Sequence, residues 1–118
     1  MLVALCIASV YQLGLAAPSG FPKEIDDFLA ERESCDHWRG EAGYDQERQA
    51  DINWSVCQSC TGTDAKLKAL KTKYRSNEKI LEKLNELESQ IEPKDKAAAK
   101  RFCRATRKPK WLDEDRKI

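Results

Sequence analysis

The chain has 118 residues with 21 basic and 20 acidic side chains, and its formal net charge is +1. A chain of this length forms one small domain with a modest hydrophobic core, which argues against a multidomain protein. The near-neutral total hides an asymmetry, because residues 21–60 carry a net charge of −6 and residues 61–118 a net charge of +7. We expect the two oppositely charged halves to attract each other on folding.

The N-terminal segment has the composition of a secretory signal peptide. Residues 2–15 form an uncharged apolar run, and the small residues of "GLAAPSG" follow it. This pattern predicts a signal peptide over residues 1–16, although no Lys or Arg precedes the apolar run. The run is only slightly short for a membrane span. An uncleaved anchor is therefore the alternative. We therefore expect a periplasmic or secreted helical domain over residues 21–108.

Two helices are predicted in the acidic half of that domain. In the first, Ile25 and Phe28 lie on one face after Pro22, a favourable first-turn residue, and Gly40 marks the end. The second helix begins after Asp45, whose carboxylate is a good N-cap, and it continues to the cysteines before Gly62.

Three more helices are predicted in the basic half. Thr63 is the expected N-cap of the third helix and Asn77 that of the fourth, which continues to Pro93. The last helix covers "KDKAAAKRFCRATRK". From Pro109 to residue 118 the sequence predicts a charged, frayed tail, with Trp111 docking back on the domain.

The sequence thus predicts an all-α fold class, a small disulfide-stapled bundle of four or five helices with short connections. The apolar positions predict a core of Ile25, Phe28, Leu29, Ile52, Val56, Leu67, Leu70, Tyr74, Leu84 and Leu87.

The cysteines favour a structural role in an oxidising compartment. Removal of the signal peptide would remove Cys6 and leave Cys35, Cys57, Cys60 and Cys103. An even number of cysteines in a small exported domain predicts two disulfides, and the residues alone leave three connectivities open.

Two chemical roles for the cysteines are the alternatives. Cys57 and Cys60 form a C-x-x-C pair, but no strand precedes it, and the negative end of a helix disfavours a thiolate. Cys35 and His37 together with that pair have the ligand types of a zinc site, although the first spacing is tight. We predict no catalytic residue, metal or cofactor, and we retain the zinc- or redox-active module as the alternative function.

Three segments carry a resemblance to a known group of proteins. They are "CDHWRGE" (Cys35–Glu41), "YDQER" (Tyr44–Arg48) and "CTGTDAKLKALKTKY" (Cys60–Tyr74). They resemble small exported proteobacterial proteins of undefined role with a C-D-H-F-x-G-E and C-x-G-T-D-x-x-L-x-x-L-x-x-x-Y pattern. The resemblance implies that Cys35 pairs with Cys60, which would leave Cys57 to meet Cys103.

A fainter similarity is carried by Asp64, Leu67 and Tyr74. It is to periplasmic lysozyme inhibitors of the LprI type, and it implies an inhibitor role by analogy of fold.

Two surfaces are candidates for binding. The stretch "CDHWRGEAGYD" contains the amphipathic residue types that concentrate binding energy in protein interfaces. Its candidate contact residues for a protein partner in the cell envelope are His37, Trp38, Arg39, Glu41 and Tyr44. The basic run of the last helix and tail could contact an anionic surface weakly through Lys100, Arg101, Arg104, Arg107, Lys108 and Lys110. No nucleic-acid partner is expected for an exported protein.

Overall fold

The computed structural model describes residues 20–114 of the chain, with side chains up to residue 112. The described part is all-α, and its helices are α1 (Lys23–Arg39), α2 (Gln46–Cys60), α3 (Thr63–Lys73), α4 (Glu78–Asn85), α5 (Lys96–Ala105) and the single turn α6 (Trp111–Glu114). This confirms the predicted fold class, a small all-α protein with disulfides. None of the helices within residues 20–114 has the length and apolar character needed to cross a bilayer. The predicted signal peptide and residues 115–118 of the predicted tail lie outside the described part.

Side-chain caps begin α2 and α4 where the sequence predicts them. Asp45 Oδ1 accepts a hydrogen bond from the backbone N–H of Arg48 at 2.7 Å, and Asn77 Oδ1 accepts one from that of Ile80 at 3.2 Å. The predicted cap at Thr63 is wrong. Gly62, with φ of 85°, is the N-cap residue, and the Thr63 hydroxyl donates instead to the Cys60 carbonyl at 2.8 Å. A left-handed glycine makes the turn between α2 and α3 within two residues.

The predicted end of the fourth helix at Pro93 is also wrong, because α4 ends at Asn85. The backbone N–H groups of Ile91 and Glu92 donate to the Asp64 carboxylate at 3.0–3.2 Å. The Glu92 carboxylate accepts in return from the N–H of Asp64 at 3.0 Å. These contacts with α3 satisfy amides that would otherwise bond within a longer helix, so residues 86–95 form an irregular connection.

The hydrophobic core lies between α1, α3 and α4. Its fully buried members are Ile25, Phe28, Leu67, Ile80 and Leu84, and the half-buried residues around them are Phe21, Leu29, Leu70, Tyr74 and Leu87. Ile80 is missing from the predicted core. Two predicted core residues on α2 lie outside this cluster, since Ile52 is buried elsewhere and Val56 is half-buried.

Arg32 is a buried charge that the sequence did not reveal, with 1% of its surface exposed. Its Nε donates to Asp36 Oδ1 at 3.1 Å, and its Nη2 donates to the Glu88 carbonyl at 2.9 Å. Nη1 has no hydrogen-bond partner among the described residues. Arg32 therefore joins α1 to the irregular connection after α4.

Ion pairs connect the acidic and basic halves. Lys66 Nζ lies 2.9 Å from a carboxylate oxygen of Glu31, and Lys73 and Tyr74 both donate to the Glu24 carboxylate. Hydrogen bonds from Lys73 and then Tyr74 lower the pKa of Glu24 below its usual value. Because the later residues of α3 meet the earlier residues of α1, the two helices are antiparallel.

The disulfides join Cys35 to Cys60 and Cys57 to Cys103, with Cα–Cα distances of 4.9 and 5.7 Å. In a simple hairpin, Cys60 at the end of α2 would lie beside the N-terminal turns of α1. The bridge places it instead beside Cys35, near the C-terminal end of α1. We conclude that α2 crosses α1 rather than running alongside it.

Candidate functional site

The candidate binding surface is formed where α1 ends and α2 begins. We define the α1–α2 face as His37, Trp38, Glu41, Tyr44 and Arg48. Trp38 lies at its centre, with its ring centroid 5.2 Å from that of His37 in an edge-on arrangement and 5.3 Å from the Arg48 guanidinium carbon. His37 Nε2 lies 3.6 Å from Glu41 Oε1. These contacts hold the half-buried indole in place.

The loop between the two helices is short and has internal contacts that order it. The N–H of Gly43 donates to Gln49 Oε1 at 3.1 Å, and Asp45 caps α2. A Cβ atom at position 43 would lie 2.7 Å from the backbone nitrogen of Gln49, so only glycine allows this close approach. The loop therefore presents its next residue, Tyr44, from a fixed position.

Tyr44 is the most exposed large apolar residue of the described chain, with 86% of its surface accessible. A shallow polar depression lies beside it, and Arg48, Asp51 and Trp111 contribute to its walls. The indole Nε1 of Trp111 donates to Asp51 Oδ2 at 3.3 Å, so the predicted docking of Trp111 is found here.

Sequence reasoning missed Arg48 and Trp111 as parts of this surface. Arg48 and Asp51 are three positions apart on α2, a spacing that places them on one helix face. That pattern could have indicated the position of Arg48, whereas the position of Trp111 depends on the path of the chain after α5.

Arg39 departs from the other candidate contact residues. It donates to Asp36 Oδ1 at 2.9 Å and to Glu88 Oε1 at 3.1 Å, and so it lies against the irregular connection after α4. Burial alone would raise the pKa of Asp36, but the hydrogen bonds from Arg39 and Arg32 outweigh it and lower that pKa. Arg39 has a structural contact here, while His37 lies against both Trp38 and Glu41, and Tyr44 lies beside Arg48.

The cysteines are paired in a way that separates the C-x-x-C motif. Cys57 and Cys60 are bonded to different partners, on α5 and α1 respectively. Within residues 20–114, no group of three or more His, Cys, Asp or Glu side chains has the arrangement of a metal site. In this oxidised state, Cys35, Cys57 and Cys60 carry no thiolate to bind zinc or to react.

The predicted basic surface is divided between α5 and the segment after it. Lys100, Arg101 and Arg104 are exposed on α5, while Arg107, Lys108 and Lys110 follow it as exposed residues.

Comparisons of the chain with protein-family models, curated protein sequences and solved structures gave no match. The functional proposals that follow therefore rest on the geometry of the described residues and on the residue patterns of the sequence.

Proposed function

We propose that this chain is an exported, non-catalytic helical binding protein that contacts a protein of the cell envelope through its α1–α2 face. The observation that carries the proposal is the 86% exposure of Tyr44 on a loop that glycine packing and a helix cap hold in place. A large exposed side chain on an ordered loop contributes to binding without a large entropy loss.

The composition of the face supports a protein partner. Trp38, Tyr44 and Arg48 belong to the three residue types that most often dominate the binding energy of interfaces. Trp38 is already held between His37 and Arg48, so its ring needs no reordering on binding. Charges of both signs lie close to the aromatic residues, because Glu41 and Asp45 are near Arg48 in the sequence.

The disulfides support export and argue against chemistry that depends on a cysteine thiol. Disulfides persist in oxidising compartments such as the periplasm and the extracellular space. The four cysteines of the described chain are all bonded, which leaves no thiol nucleophile among them. A mass spectrum of the protein recovered from the cell envelope tests this part. We expect loss of residues 1–16 and a mass lower by two hydrogens per bridge, whereas free thiols with bound zinc would favour the alternative module.

Within the class of binding proteins, we propose lysozyme as the partner to test first, on the basis of the faint resemblance of the Asp64, Leu67 and Tyr74 pattern to periplasmic lysozyme inhibitors. Purified protein is added to lysozyme, and the clearing of a cell-wall suspension is followed. Slower clearing is expected, and Tyr44→Ala should weaken the inhibition at least tenfold because it removes the exposed contact.

Phe102→Ala is the matched control for Tyr44→Ala. Phe102 is also an exposed aromatic residue, but it lies on α5, away from the α1–α2 face, so this variant should inhibit as well as the native protein. Unchanged clearing at a hundredfold molar excess of the native protein would exclude lysozyme. Equal loss in both variants would contradict the assignment of the α1–α2 face.

A further inference from the structure

An open cavity of about 770 Å³ lies between the C-terminal half of α2 and α5, and we refer to it as the α2–α5 groove. Residues 91–93 close one of its sides. Its apolar lining includes Val56, Ile91, Pro93, Ala99, Phe102 and the Cys57–Cys103 disulfide. A cavity of this volume with a mainly apolar lining lies within the usual range for small-molecule sites.

The groove remains open because α5 is held beside the bundle rather than packed into it. No residue of α5 is fully buried, and Phe102 on its groove side is 52% exposed. The covalent bond between Cys57 and Cys103 attaches the helix to α2. Among the described residues, no further element covers the apolar side of α5, which faces the groove.

Positive charge surrounds this apolar space. The cationic lining residues are Arg39, Lys96, Lys100 and Arg104. Glu92 is the one carboxylate among the described lining residues, and it already accepts from the N–H of Asp64 at 3.0 Å and lies 3.7 Å from Lys96 Nζ. Lys100 and Arg104, one helical turn apart, have no ion-pair partner among the described residues. The groove is thus complementary to an anion with a long apolar part.

We propose that the α2–α5 groove binds a fatty acid with an acyl chain of about the length of laurate. The acyl chain lies along Val56, Ile91 and Phe102, and the carboxylate lies between Lys100 and Arg104. Removal of the CH₂ groups from water contributes favourably to the free energy of binding. The two cations favour a carboxylate over a neutral head group. This proposal concerns a different surface from the α1–α2 face and does not depend on the proposed function.

The charge of the groove favours a fatty acid over the apolar face of a peptide helix. Lys100 and Arg104 lie one helical turn apart beside the apolar lining, so they match a single carboxylate at the end of an apolar chain. A membrane surface is the other anionic apolar partner. A flat bilayer would meet the exposed cations, but it would not enter the open groove between α2, residues 91–93 and α5.

Calorimetric titration of the oxidised protein with laurate, below the concentration at which laurate forms micelles, tests the proposal. We expect saturable one-to-one binding. Decanoate should bind about tenfold more weakly, since it buries two fewer CH₂ groups. Amide chemical-shift changes in NMR spectra should be confined to the end of α2, residues 91–93 and α5.

The variant with Lys100→Gln and Arg104→Gln tests whether these two cations contact the carboxylate of laurate, rather than attracting it only through the net charge of the protein. Both side chains are exposed, so the fold should be retained, and laurate should bind at least tenfold more weakly. The variant with Lys68→Gln and Lys79→Gln removes the same charge from exposed positions outside the groove and should bind laurate as the native protein does. Uncharged dodecanol should bind the native protein and the groove variant equally.

Three results would overturn the proposal. They are no saturable binding of laurate, equal laurate binding by the two double variants, and binding to phosphatidylglycerol vesicles without binding of free laurate. The last result would assign the cations to a membrane surface instead. Tyr44→Ala should bind laurate normally, and the groove double variant should retain any lysozyme inhibition, so the two proposals fail independently.

Discussion

The bundle formed by α1, α3 and α4 and the single helix α5 are held in place by different forces. In the bundle, five apolar side chains are fully buried, and Arg32 and two ion pairs reinforce the contacts between elements. In α5 no residue is fully buried, and a disulfide connects the helix to α2. The comparison shows that a covalent bond can hold a helix in position without burying it, which leaves its apolar side free to form the wall of a groove.

The two disulfides should therefore contribute differently to stability. Replacement of Cys35 and Cys60 by alanine should lower the free energy of unfolding by about 3.5 kcal/mol, the chain-entropy value for a separation of 25 residues. Replacement of Cys57 and Cys103 should have a smaller effect, because α5 then gains freedom in the folded state as well. Urea unfolding measures both.

Hydrogen exchange sharpens that comparison. In the variant without Cys57 and Cys103, the amides of α5 should exchange much faster, while those of α1, α3 and α4 remain protected. Uniform loss of protection along the chain would show that α5 is part of the cooperative core.

Truncation of one apolar residue in each region gives the next largest effect. Leu84→Ala should lower the free energy of unfolding by about 3 kcal/mol, because the Leu84 side chain is fully buried and its removal leaves a cavity. Phe102→Ala should change it by less than about 1 kcal/mol, since Phe102 is 52% exposed. Similar losses in urea unfolding would contradict the proposed difference between the regions.

The buried Arg32 should contribute less to the free energy of unfolding than Leu84, but more than Arg39, which is more exposed. Arg32→Met keeps most of the apolar stem and removes the hydrogen bonds to Asp36 and to the Glu88 carbonyl, so we expect a loss of about 1.5 kcal/mol. The matched variant Arg39→Met removes a more exposed guanidinium and should cost less than about 1 kcal/mol. Thermal unfolding of both variants shows which substitution lowers stability more. A larger loss of stability for Arg39→Met would refute the conclusion that Arg32 makes the stronger contacts.

Protonation of Asp36 should change the free energy of unfolding less than any of the substitutions above. Its pKa is lowered in the folded protein, because the hydrogen bonds from Arg39 and Arg32 outweigh the effect of burial. The stabilisation is therefore present above its ordinary pKa of 3.8 and is lost as the pH falls through the lower folded value. We expect less than about 1 kcal/mol, since the carboxylate is partly exposed.

Carboxyl carbon shifts in an NMR titration measure this directly. Asp36 should titrate below its ordinary value, and Arg39→Met should raise its pKa towards that value. An Asp36 pKa at or above 3.8 in the native protein would contradict the interpretation.

Local signals in the sequence predicted the helices well where a helix ends on its own residues. Asp45 and Asn77 cap the helices they were expected to cap, and α1 ends at Gly40 as predicted. The fourth helix was predicted too long because its apolar spacing continues to Ile91, while the Asp64 carboxylate takes the amides of residues 91 and 92. That competition depends on a residue 27 positions earlier, and no local pattern contains it.

The candidate binding surface was predicted in part. Trp38 and Tyr44 were identified from residue type in one short stretch, whereas Arg48 and Trp111 join them only through the packing of α2 and the path after α5. The α2–α5 groove was not predicted, since its lining comes from three separate parts of the chain.

The sequence by itself determined the helical fold class, most helix starts, and the four cysteines of the described part that suit two disulfides, because composition, capping residues and apolar spacing act over a few residues. Only the tertiary structure decided that α2 crosses α1, that Arg32 is buried, and that α5 stands beside an open groove. These features depend on contacts between residues far apart in the chain, whose distances are set only when the bundle closes and the disulfides form.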